Sequence, residues 1–452
     1  MEEEHIINFH NSLMVQIIVC LYSVFMIFYQ LFPSILIALI SAIFYLYIYL
    51  MHSRKYDIVT TLSIISIIAI PTSTISILGG SSAKLPLTWY SIAILISVIY
   101  ILLTNGFSKK YLLSIFLFMF YGLLLCLLAN NVFGAFKQYL MIILFLFVFF
   151  VGEYIKEKNV FEINYMFKRY YFLGVISMGF QIIIQKAYIK STGTIIGHFI
   201  VMGGGRVAHA GIMGDYSFAT LYLATGVMMM FIWYIDTNKI SFFKFCVVES
   251  FLLYAMFVVS SRTGLISLIL TLVLYTICNI KKINGKYLMI LFACVLVFPL
   301  FLSKLMESRG GQALLESSGR ESSYIKAIEL WSNKIAFGYG LGLDNLYDST
   351  GIDVPHNLII QYLVQIGLVG WILFSIPLFI FIKDNLFNTN VMKWLFWLIL
   401  IGSMFIPDIV SSRFIYGIVL ICMTYRWQGE KNEEKIRKIG VKSSKMLQTR
   451  KI

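Results

Sequence analysis

The chain has 452 residues, of which 59% are hydrophobic and only 13% carry a charged side chain. A soluble globular chain averages roughly 25% charged residues, so this composition excludes soluble globular, disordered and disulfide-rich secreted proteins. A net charge of +14 would suit a nucleic-acid-binding protein. The basic residues lie, however, in short connections and in a C-terminal tail, where membrane topology and anionic headgroups explain them, and we expect no nucleic acid among the partners.

Neither a cleavable signal peptide nor a cysteine framework is indicated. The first eleven residues are acidic, and the apolar run that follows them continues directly into a second one, unlike a secretory signal. The six cysteines all lie in apolar stretches and form no CxxC pair. The sequence therefore predicts neither disulfide bonds nor a zinc site.

Fourteen apolar windows follow one another along the chain, and most of them are of a length that can cross a bilayer. The windows are 13–31, 34–50, 58–78, 88–104, 111–129, 137–152, 171–185, 217–235, 242–260, 264–280, 286–302, 357–382, 394–410 and 414–425. They predict an all-α polytopic integral membrane protein. We divide it into spans 1–11 over 1–302, a polar interval over 303–356, spans 12–14 over 357–425 and a basic tail over 426–452.

Lysine and arginine are concentrated in alternate connections between the windows, and the intervening short turns carry almost none. Positive residues favour the cytoplasmic side of a membrane, so we expect both termini to lie in the cytoplasm. The residues concerned are Arg54, Lys55, Lys109, Lys110, Lys156, Lys158, Lys168, Arg169, Lys239, Lys281, Lys282, Lys286, Lys383 and Lys393, together with the tail.

The same topology places two long polar loops, 186–216 and 303–355, on the outer face with the short turn at Ser260–Arg262. The first loop contains a glycine run at 203–205 beside Arg206, which predicts a flexible connection that admits substrate or, equally simply, a mobile connector. The outer face then collects four arginines and one histidine. They are Arg206, Arg262, Arg309, Arg320 and His356.

The second outer loop has internal order. Ser318 and Glu321 have the spacing of a capping box, and an apolar residue then recurs every three or four positions, which predicts one helix of about 15 residues with a single apolar stripe. We expect this helix to lie against the membrane surface or on the tops of the spans. The stripe is Ile325, Ile328, Trp331 and Ile335, and the glycines that end the helix are Gly338, Gly340 and Gly342.

His356 begins the next span and is the candidate general base. An imidazole titrates near neutral pH and can accept a proton there. Asn357 and Gln361 are four residues apart and share a helix face, so we expect both to contact substrate. The alternative is that His356 only caps a helix at the level of the lipid headgroups.

Arg262 and Arg320 are candidates for gripping a phosphate group, because a guanidinium offers two parallel hydrogen bonds to phosphate oxygens. The alternatives are an interfacial anchor for Arg262 and a solvated charge for Arg320. No acidic cluster of the kind that holds Mg²⁺ stands beside them, since Asp344, Asp348 and Asp353 are spread along a loop. We therefore expect neither a metal ion nor another cofactor.

Two further charged groups lie in or beside spans. Glu249 is inside a window, where a carboxylate is a functional candidate, although pairing with Lys244 would give it a structural role. Asp408 and Arg413 lie at the outer end of the last hairpin. We expect them to form a simple ion pair, and the alternative is that they join the site.

The order and spacing of these elements resemble the O-antigen ligase and Wzy-type polymerase superfamily over about 255–375. The matching elements are Ser261-Arg262, Ser318-Gly319-Arg320, Trp331, Gly338-x-Gly340-x-Gly342, Pro355-His356-Asn357-Leu358 and Gly367-Leu368-Val369-Gly370. Members of that family are membrane glycosyltransferases of the GT-C type that take a glycan from undecaprenyl diphosphate on the outer face of the inner membrane, without a metal ion.

The resemblance implies that Arg262 and Arg320 hold the diphosphate and that His356 acts on the acceptor hydroxyl. We expect Arg206, Asn357, Trp331 and Gln361 to contact substrate. The first interpretation is a polymerase for O-antigen or capsule that works with a chain-length regulator. The alternatives are an O-antigen ligase, which transfers the glycan to lipid A core, and a lipid-linked oligosaccharide flippase, which is not an enzyme.

Overall fold

The computed structural model describes residues 2–104, 106–158, 161–201, 207–236, 240–279, 285, 320–387 and 391–425, and the described part is built almost wholly of helices. The helices are α1 (Glu2–Phe25), α2 (Ser34–Ser53), α3 (Ile58–Ile68), α4 (Trp89–Thr104), α5 (Lys109–Leu127), α6 (Val132–Leu146), α7 (Val148–Lys158), α8 (Phe161–Thr192), α9 (Tyr216–Asp236), α10 (Phe242–Val259), α11 (Arg262–Cys278), α12 (Arg320–Asn333), α13 (Leu343–Thr350), α14 (Leu358–Asn385), α15 (Lys393–Gly402) and α16 (Phe414–Thr424). Short 3₁₀ turns cover Met26–Leu31, Ile70–Thr72 and Ile409–Ser412.

The helices bear out a polytopic membrane protein. Within the described residues, eight helical segments are long and apolar enough to cross a bilayer, and five further apolar helices have 10–17 residues. The predicted window 286–302 lies outside the described residues, so the total of fourteen spans stays a prediction. Two windows were too long. The window 58–78 contains only α3, which ends at Ile68, before a 3₁₀ turn. In the window 394–410, α15 ends at Gly402, and residues 403–410 form turns instead of the last part of a span.

Side-chain caps explain where several helices begin. The carboxylate of Asp57 accepts a hydrogen bond from the Thr60 amide at 2.7 Å, at the start of α3. Asp215 receives the amides of Ser217 and Phe218 at 2.6 and 2.9 Å in the same way before α9. A short polar side chain at this position satisfies amides that no helical carbonyl can reach. Both acidic residues therefore stabilise helix ends.

The basic connections meet at one end of the bundle, which we call the basic end. Lys110 forms ion pairs with Glu153 of α7 and Asp384 of α14. Nearby, Lys55 pairs with Glu162 of α8 at 2.5 Å. The predicted alternation of loops between two ends is therefore seen for these residues, although the side of the membrane that each end faces stays a prediction.

The first polar loop is shorter than expected, because α8 continues to Thr192. Beyond it, β1 (Phe199–Val201) and β2 (Val207–His209) form an antiparallel hairpin in which Phe199 is opposite His209. The glycine run at 203–205 and Arg206 lie outside the described residues, so the flexible connection predicted there stays a prediction.

Helix α14 is broken at Gly367, where φ is 64° and ψ is −175°. The break frees main-chain groups, and the segment 335–340 satisfies them. The amides of Tyr339 and Gly340 donate to the carbonyls of Val364 and Gln365, both at 2.8 Å. In return, the amide of Leu368 donates to Ile335 at 2.8 Å. Unpaired backbone groups are costly inside a membrane protein, so this pairing is what permits the break.

The predicted helix of the second loop is α12, but its apolar stripe does not pack as one face. Ile325, Ile328 and Ile335 are about half exposed, at 55%, 50% and 49%. The face that packs on α14 instead includes Ala327, which is 1% exposed, and Trp331, which is partly buried beside it. The helix therefore lies on the top of a span, as one of the two expectations had it.

Candidate active site

His356 lies in the turn before α14, and its side chain is exposed. Its carbonyl accepts a hydrogen bond from the Tyr324 hydroxyl of α12 at 2.8 Å. Two residues later, the amide of Leu358 donates to the carbonyl of Ser403, just after α15, at 3.0 Å. Three segments therefore meet at His356, and we call this end of the bundle the site end.

Asn357 is the N-cap of α14. Its side-chain oxygen accepts hydrogen bonds from the amides of Ile359 and Ile360 at 3.0 and 3.2 Å, and its amide nitrogen lies 3.6 Å from the sulfur of Met404. The cap fixes the first turn of α14 and so the position of the preceding His356. A contact between Asn357 and substrate stays a prediction.

Arg262 begins α11, directly after the N-cap residue Ser261 and two residues after the left-handed Ser260. At the other end of α11, the Tyr275 ring lies 5.3 Å from the ring of Trp394 at the start of α15. The two helices pack against each other, so the start of α11 lies at the same end as Gly402, the last residue of α15. Arg262 is therefore at the site end, and its side chain is partly buried.

Two glycines bring these helices close together near Arg262. A Cβ atom at Gly264 would collide with the carbonyl oxygen of Thr220 in α9, and one at Gly402 would lie 2.6 Å from the Leu221 side chain. Small residues allow such close approach of helix backbones in membranes. Because Thr220 and Leu221 are neighbours in the chain, Gly264 and Gly402 lie at the same height along the bundle. Ser403, whose carbonyl accepts the hydrogen bond from the Leu358 amide, directly follows Gly402.

The other predicted site residues are placed less completely. Arg320 is the first residue of α12, one helical turn before Tyr324, which binds the His356 carbonyl. Trp331 lies two further turns along, and its indole donates to the Ile335 carbonyl at 3.2 Å. The side chain of Arg320 and all of Arg206 and Arg309 lie outside what the structure describes. Their roles stay predictions.

Gln361 is fully buried, and the predicted contact between Gln361 and substrate stays a prediction. Its amide nitrogen donates to the side-chain oxygen of Gln365 at 3.0 Å, and its own oxygen accepts the Asp408 amide at 2.6 Å. Gln361 therefore holds the 403–410 turns after α15 through the main-chain amide of Asp408. The helical spacing predicted the shared face correctly but could not reveal that a third segment covers it.

Gln361 belongs to a buried polar network that sequence reasoning missed. Gln138 of α6 is its centre: its oxygen accepts the Gly342 amide at 2.7 Å, and its nitrogen lies 3.2 Å from Gln365 Oε1 and from Asp408 Oδ1. Gln365 also donates to the carbonyl of Gly342 at 3.2 Å. The network therefore connects α6, α14, residues 338–342, which we call the glycine segment, and the 403–410 turns. It lies beneath His356.

Asp408 and Arg413 do not form the predicted ion pair, because no contact between them within 4.0 Å occurs in the structure. The Asp408 carboxyl is 6% exposed and is held by Gln138 instead. Burial raises the pKa of Asp408 to about 6, although the hydrogen bond from Gln138 opposes this effect. Asp408 is therefore a carboxyl that changes charge close to neutral pH.

Two other expectations about charged residues can be compared with the structure. Lys244 is exposed, whereas Glu249 is buried and its carboxyl oxygens have no hydrogen-bond partner within the described residues. The predicted pairing of these two residues is therefore wrong. Asp344, Asp348 and Asp353 are all exposed as expected.

A metal ligand set is not found in the part of the chain that the structure describes, where no three His, Cys, Asp or Glu side chains are grouped suitably. The expectation of chemistry without a metal or cofactor stays a prediction.

Residues 248–375 match the family model of the O-antigen ligase domain, Wzy_C. This match confirms the resemblance that the sequence elements between Ser261 and Gly370 predicted. It contains Arg262, Arg320, Trp331, His356, Asn357 and Gln361. No curated protein and no solved structure matches the chain. Residues 248–375, a little over a quarter of the chain, are therefore similar to the domain of O-antigen ligases.

Proposed function

We propose that the protein is a membrane glycosyltransferase that polymerises a lipid-linked glycan. The donor is a glycan on undecaprenyl diphosphate, and the acceptor is a sugar hydroxyl of another lipid-linked repeat unit. The site end faces the outside of the bacterial inner membrane, and both termini lie in the cytoplasm. A chain-length regulator protein is the partner that this activity implies.

The observation that carries the proposal is the meeting of Arg262 and His356 at one end of the bundle, inside the segment that matches the O-antigen ligase family. The helix α12 begins at Arg320 and reaches His356 through Tyr324. Cations that can grip phosphate and an exposed imidazole are therefore supplied by neighbouring elements. A site of this composition suits the departure of a diphosphate and the deprotonation of a hydroxyl.

In the proposed reaction, the acceptor oxygen attacks the anomeric carbon of the donor sugar. The bond from that carbon to the diphosphate oxygen breaks, and the diphosphate leaves with its negative charge facing Arg262 and Arg320. His356 takes the acceptor proton as the new glycosidic bond forms. Charge stabilisation of the leaving group and general base catalysis are both strongest in the transition state, where they accelerate the reaction.

An O-antigen ligase is the second candidate, and the description of the matching family favours it. A ligase uses the same donor and the same leaving group but transfers the glycan to lipid A core. Polymerase and ligase therefore differ in the acceptor that they bind, and the glycine segment and α12 are the elements beside His356 that would recognise it.

Purified protein in lipid vesicles separates these functions. With a carrier-linked repeat unit alone, a polymerase forms a ladder of longer carrier-linked glycans. A ligase forms product only when lipid A core is added, and a flippase moves the glycan without making a new bond. We expect the ladder.

The variants Arg262→Lys and Arg320→Lys should each lose about 10- to 150-fold in rate, since the two-pronged phosphate contact is lost. Arg54→Lys is the matched control, because Arg54 is exposed at the far end of α2, and its rate should equal that of the wild type. Normal rates in both site variants would exclude the phosphate grip.

A further inference from the structure

The side chain of Arg413, at the site end, forms no hydrogen bond or ion pair with another described residue. The residue stands between the 3₁₀ turn Ile409–Ser412 and α16, with φ at 58°. Asp408, on the other side of the same turn, has φ at 49°. Left-handed backbone conformations are unfavourable for residues with a side chain. Two of them flank four residues, so the surrounding packing holds this turn against its local preference.

The polar atoms around Arg413 are also unsatisfied. Its Nε atom and the Ser412 hydroxyl are buried, and neither has a hydrogen-bond partner among the described residues. The ionisable groups that act on the guanidinium are Tyr90 of α4 and the carboxyl of Asp408. Buried polar atoms are nearly always paired in native proteins, and an exception calls for a missing ion, water or ligand.

Asp408 does not supply the missing partner. Gln138 holds its carboxyl oxygen at 3.2 Å, and Gln361 holds its main-chain amide at 2.6 Å. The carboxyl is thus directed into the glutamine network, beyond 4.0 Å from the guanidinium. Satisfying Arg413 through Asp408 would require this network to be broken.

Arg413 as a whole is only partly buried, although its Nε atom is buried. The turn that carries it is linked through Asp408 and Gln361 to the first turn of α14, below His356. The site end is therefore the side from which we have a ligand approach Arg413.

We propose that Arg413 binds an anionic oxygen group, either a phosphate or a carboxylate, that enters the bundle from the site end. A guanidinium presents paired donors to such a group, and the unpaired Ser412 hydroxyl of the preceding residue is a further donor. The inference does not depend on the proposed glycosyl transfer. If both hold, the anion belongs to the carrier or to an acidic sugar of the glycan.

The test uses the purified full chain in detergent, with inorganic phosphate or acetate as the probe at constant ionic strength. Thermal unfolding is followed by tryptophan fluorescence. Binding to the native state raises the unfolding midpoint, by about 2 °C at ten times the dissociation constant. We expect this rise in the wild type and in Arg54→Met, which removes an exposed arginine at the basic end. A response to phosphate alone or to acetate alone identifies which anion is bound.

The variant Arg413→Met should lose the rise, and its midpoint without anion should equal or exceed that of the wild type. Removing an unpaired buried charge is favourable, whereas removing a structural arginine is not. A midpoint several degrees lower in Arg413→Met and restored in Arg413→Lys would overturn the proposal, as would the absence of any anion response in the wild type.

Two more variants separate this site from the proposed diphosphate site. In the double variant Arg262→Lys, Arg320→Lys, the rise of the unfolding midpoint with anion should persist. If the rise is lost in the double variant and kept in Arg413→Met, Arg413 is not the binding residue and the anion binds at the proposed diphosphate site. Asp408→Asn leaves Arg413 in place and removes the competing carboxylate. In Asp408→Asn, the anion concentration that gives half of the maximal rise in midpoint should be at least about threefold lower than in the wild type. An unchanged concentration counts against the proposal.

Discussion

The side chain of His356 is exposed, while its main chain is held by the hydrogen bond from Tyr324 to its carbonyl. A substitution of His356 therefore tests the chemistry of the imidazole directly. If the imidazole is a general base, it must be neutral to act, so activity should rise with pH through the imidazole pKa, ordinarily about 6.5. His356→Ala should lose about 10²–10⁴-fold in rate and still bind the carrier-linked donor. Initial rates between pH 5.5 and 8 with saturating substrate provide the measurement. Activity that declines over this range would make His356 a phosphate-binding cation instead.

Asp408 predicts a pH dependence of stability. Its pKa rises from 3.8 to about 6 on folding because of burial, so between about pH 4 and pH 6 the native state binds more protons than the unfolded state. Stability therefore falls as pH rises through that window. Asp408→Asn lacks this loss of stability. The difference between its unfolding midpoint and that of the wild type should therefore increase from pH 4.5 to 6.5 and be constant above pH 6.5. A difference that is constant with pH would show that the carboxyl keeps its ordinary pKa.

Sequence reasoning found the residues of the site end that stand in a local pattern, and it missed those that do not. Arg262 and His356 were found because each follows a recognisable neighbour at a span boundary. Gln138 was missed because it is a single amide in an apolar window, and its partner Gln365 is 227 positions away. No periodicity in one sequence links two such residues.

At the scale of elements, the glycine segment after α12 is held against the break in α14. Gly338 has φ at 68°, and a Cβ atom there would lie 2.6 Å from the carbonyl oxygens of Gln365 and Val364. Gly351 has the same φ of 68° and open space around it. A side chain at either position would adopt the same unfavourable backbone conformation. Only at position 338 would it also collide with neighbouring atoms.

We expect Gly338→Ala to be less stable than Gly351→Ala by about 1–3 kcal/mol, the usual cost of forcing extra atoms into a packed site. Gly351→Ala itself should lose only about 1 kcal/mol through its left-handed backbone. Thermal unfolding of the two variants gives the comparison. Glycan transfer by Gly338→Ala should fall with stability, because the segment is bound to Val364 and Gln365 of α14, the helix that His356 precedes. Equal midpoints would mean that the segment moves freely away from α14.

The sequence predicted the existence of α12, but the helix ends at Asn333, five residues before the Gly338 that was expected to end it. The sequence also did not predict the face that α12 buries. Hydrophobic spacing favoured Ile325 and Ile328, whereas α14 receives Ala327 and Trp331. In a membrane protein, lipid accepts apolar side chains as readily as a protein core does. An apolar stripe therefore does not distinguish the packed face from the one that faces lipid.

At the scale of the whole molecule, hydropathy alone predicted a helical membrane protein correctly, because a bilayer requires backbone groups to be satisfied within each span. It did not predict helix lengths. The window 137–152 corresponds to two consecutive helices, α6 and α7, and the window 394–410 to the ten residues of α15 followed by turns. Buried polar groups such as those of Gln138 and Asp408 allow irregular backbone inside the bundle.

The orientation of the bundle is the last prediction, and the proposed function depends on it. Asp353 is exposed at the site end, three residues before His356, and Glu157 is exposed at the basic end, near the end of α7. In a background without the six native cysteines, Asp353→Cys should react with a membrane-impermeant maleimide in cells with a permeabilised outer barrier. Glu157→Cys should react only after detergent opens the membrane, because positive-inside bias places the basic end in the cytoplasm. Detergent labelling of both variants is the control for accessibility. The reverse pattern would place His356 in the cytoplasm, where a glycan carried on the outer face cannot reach it.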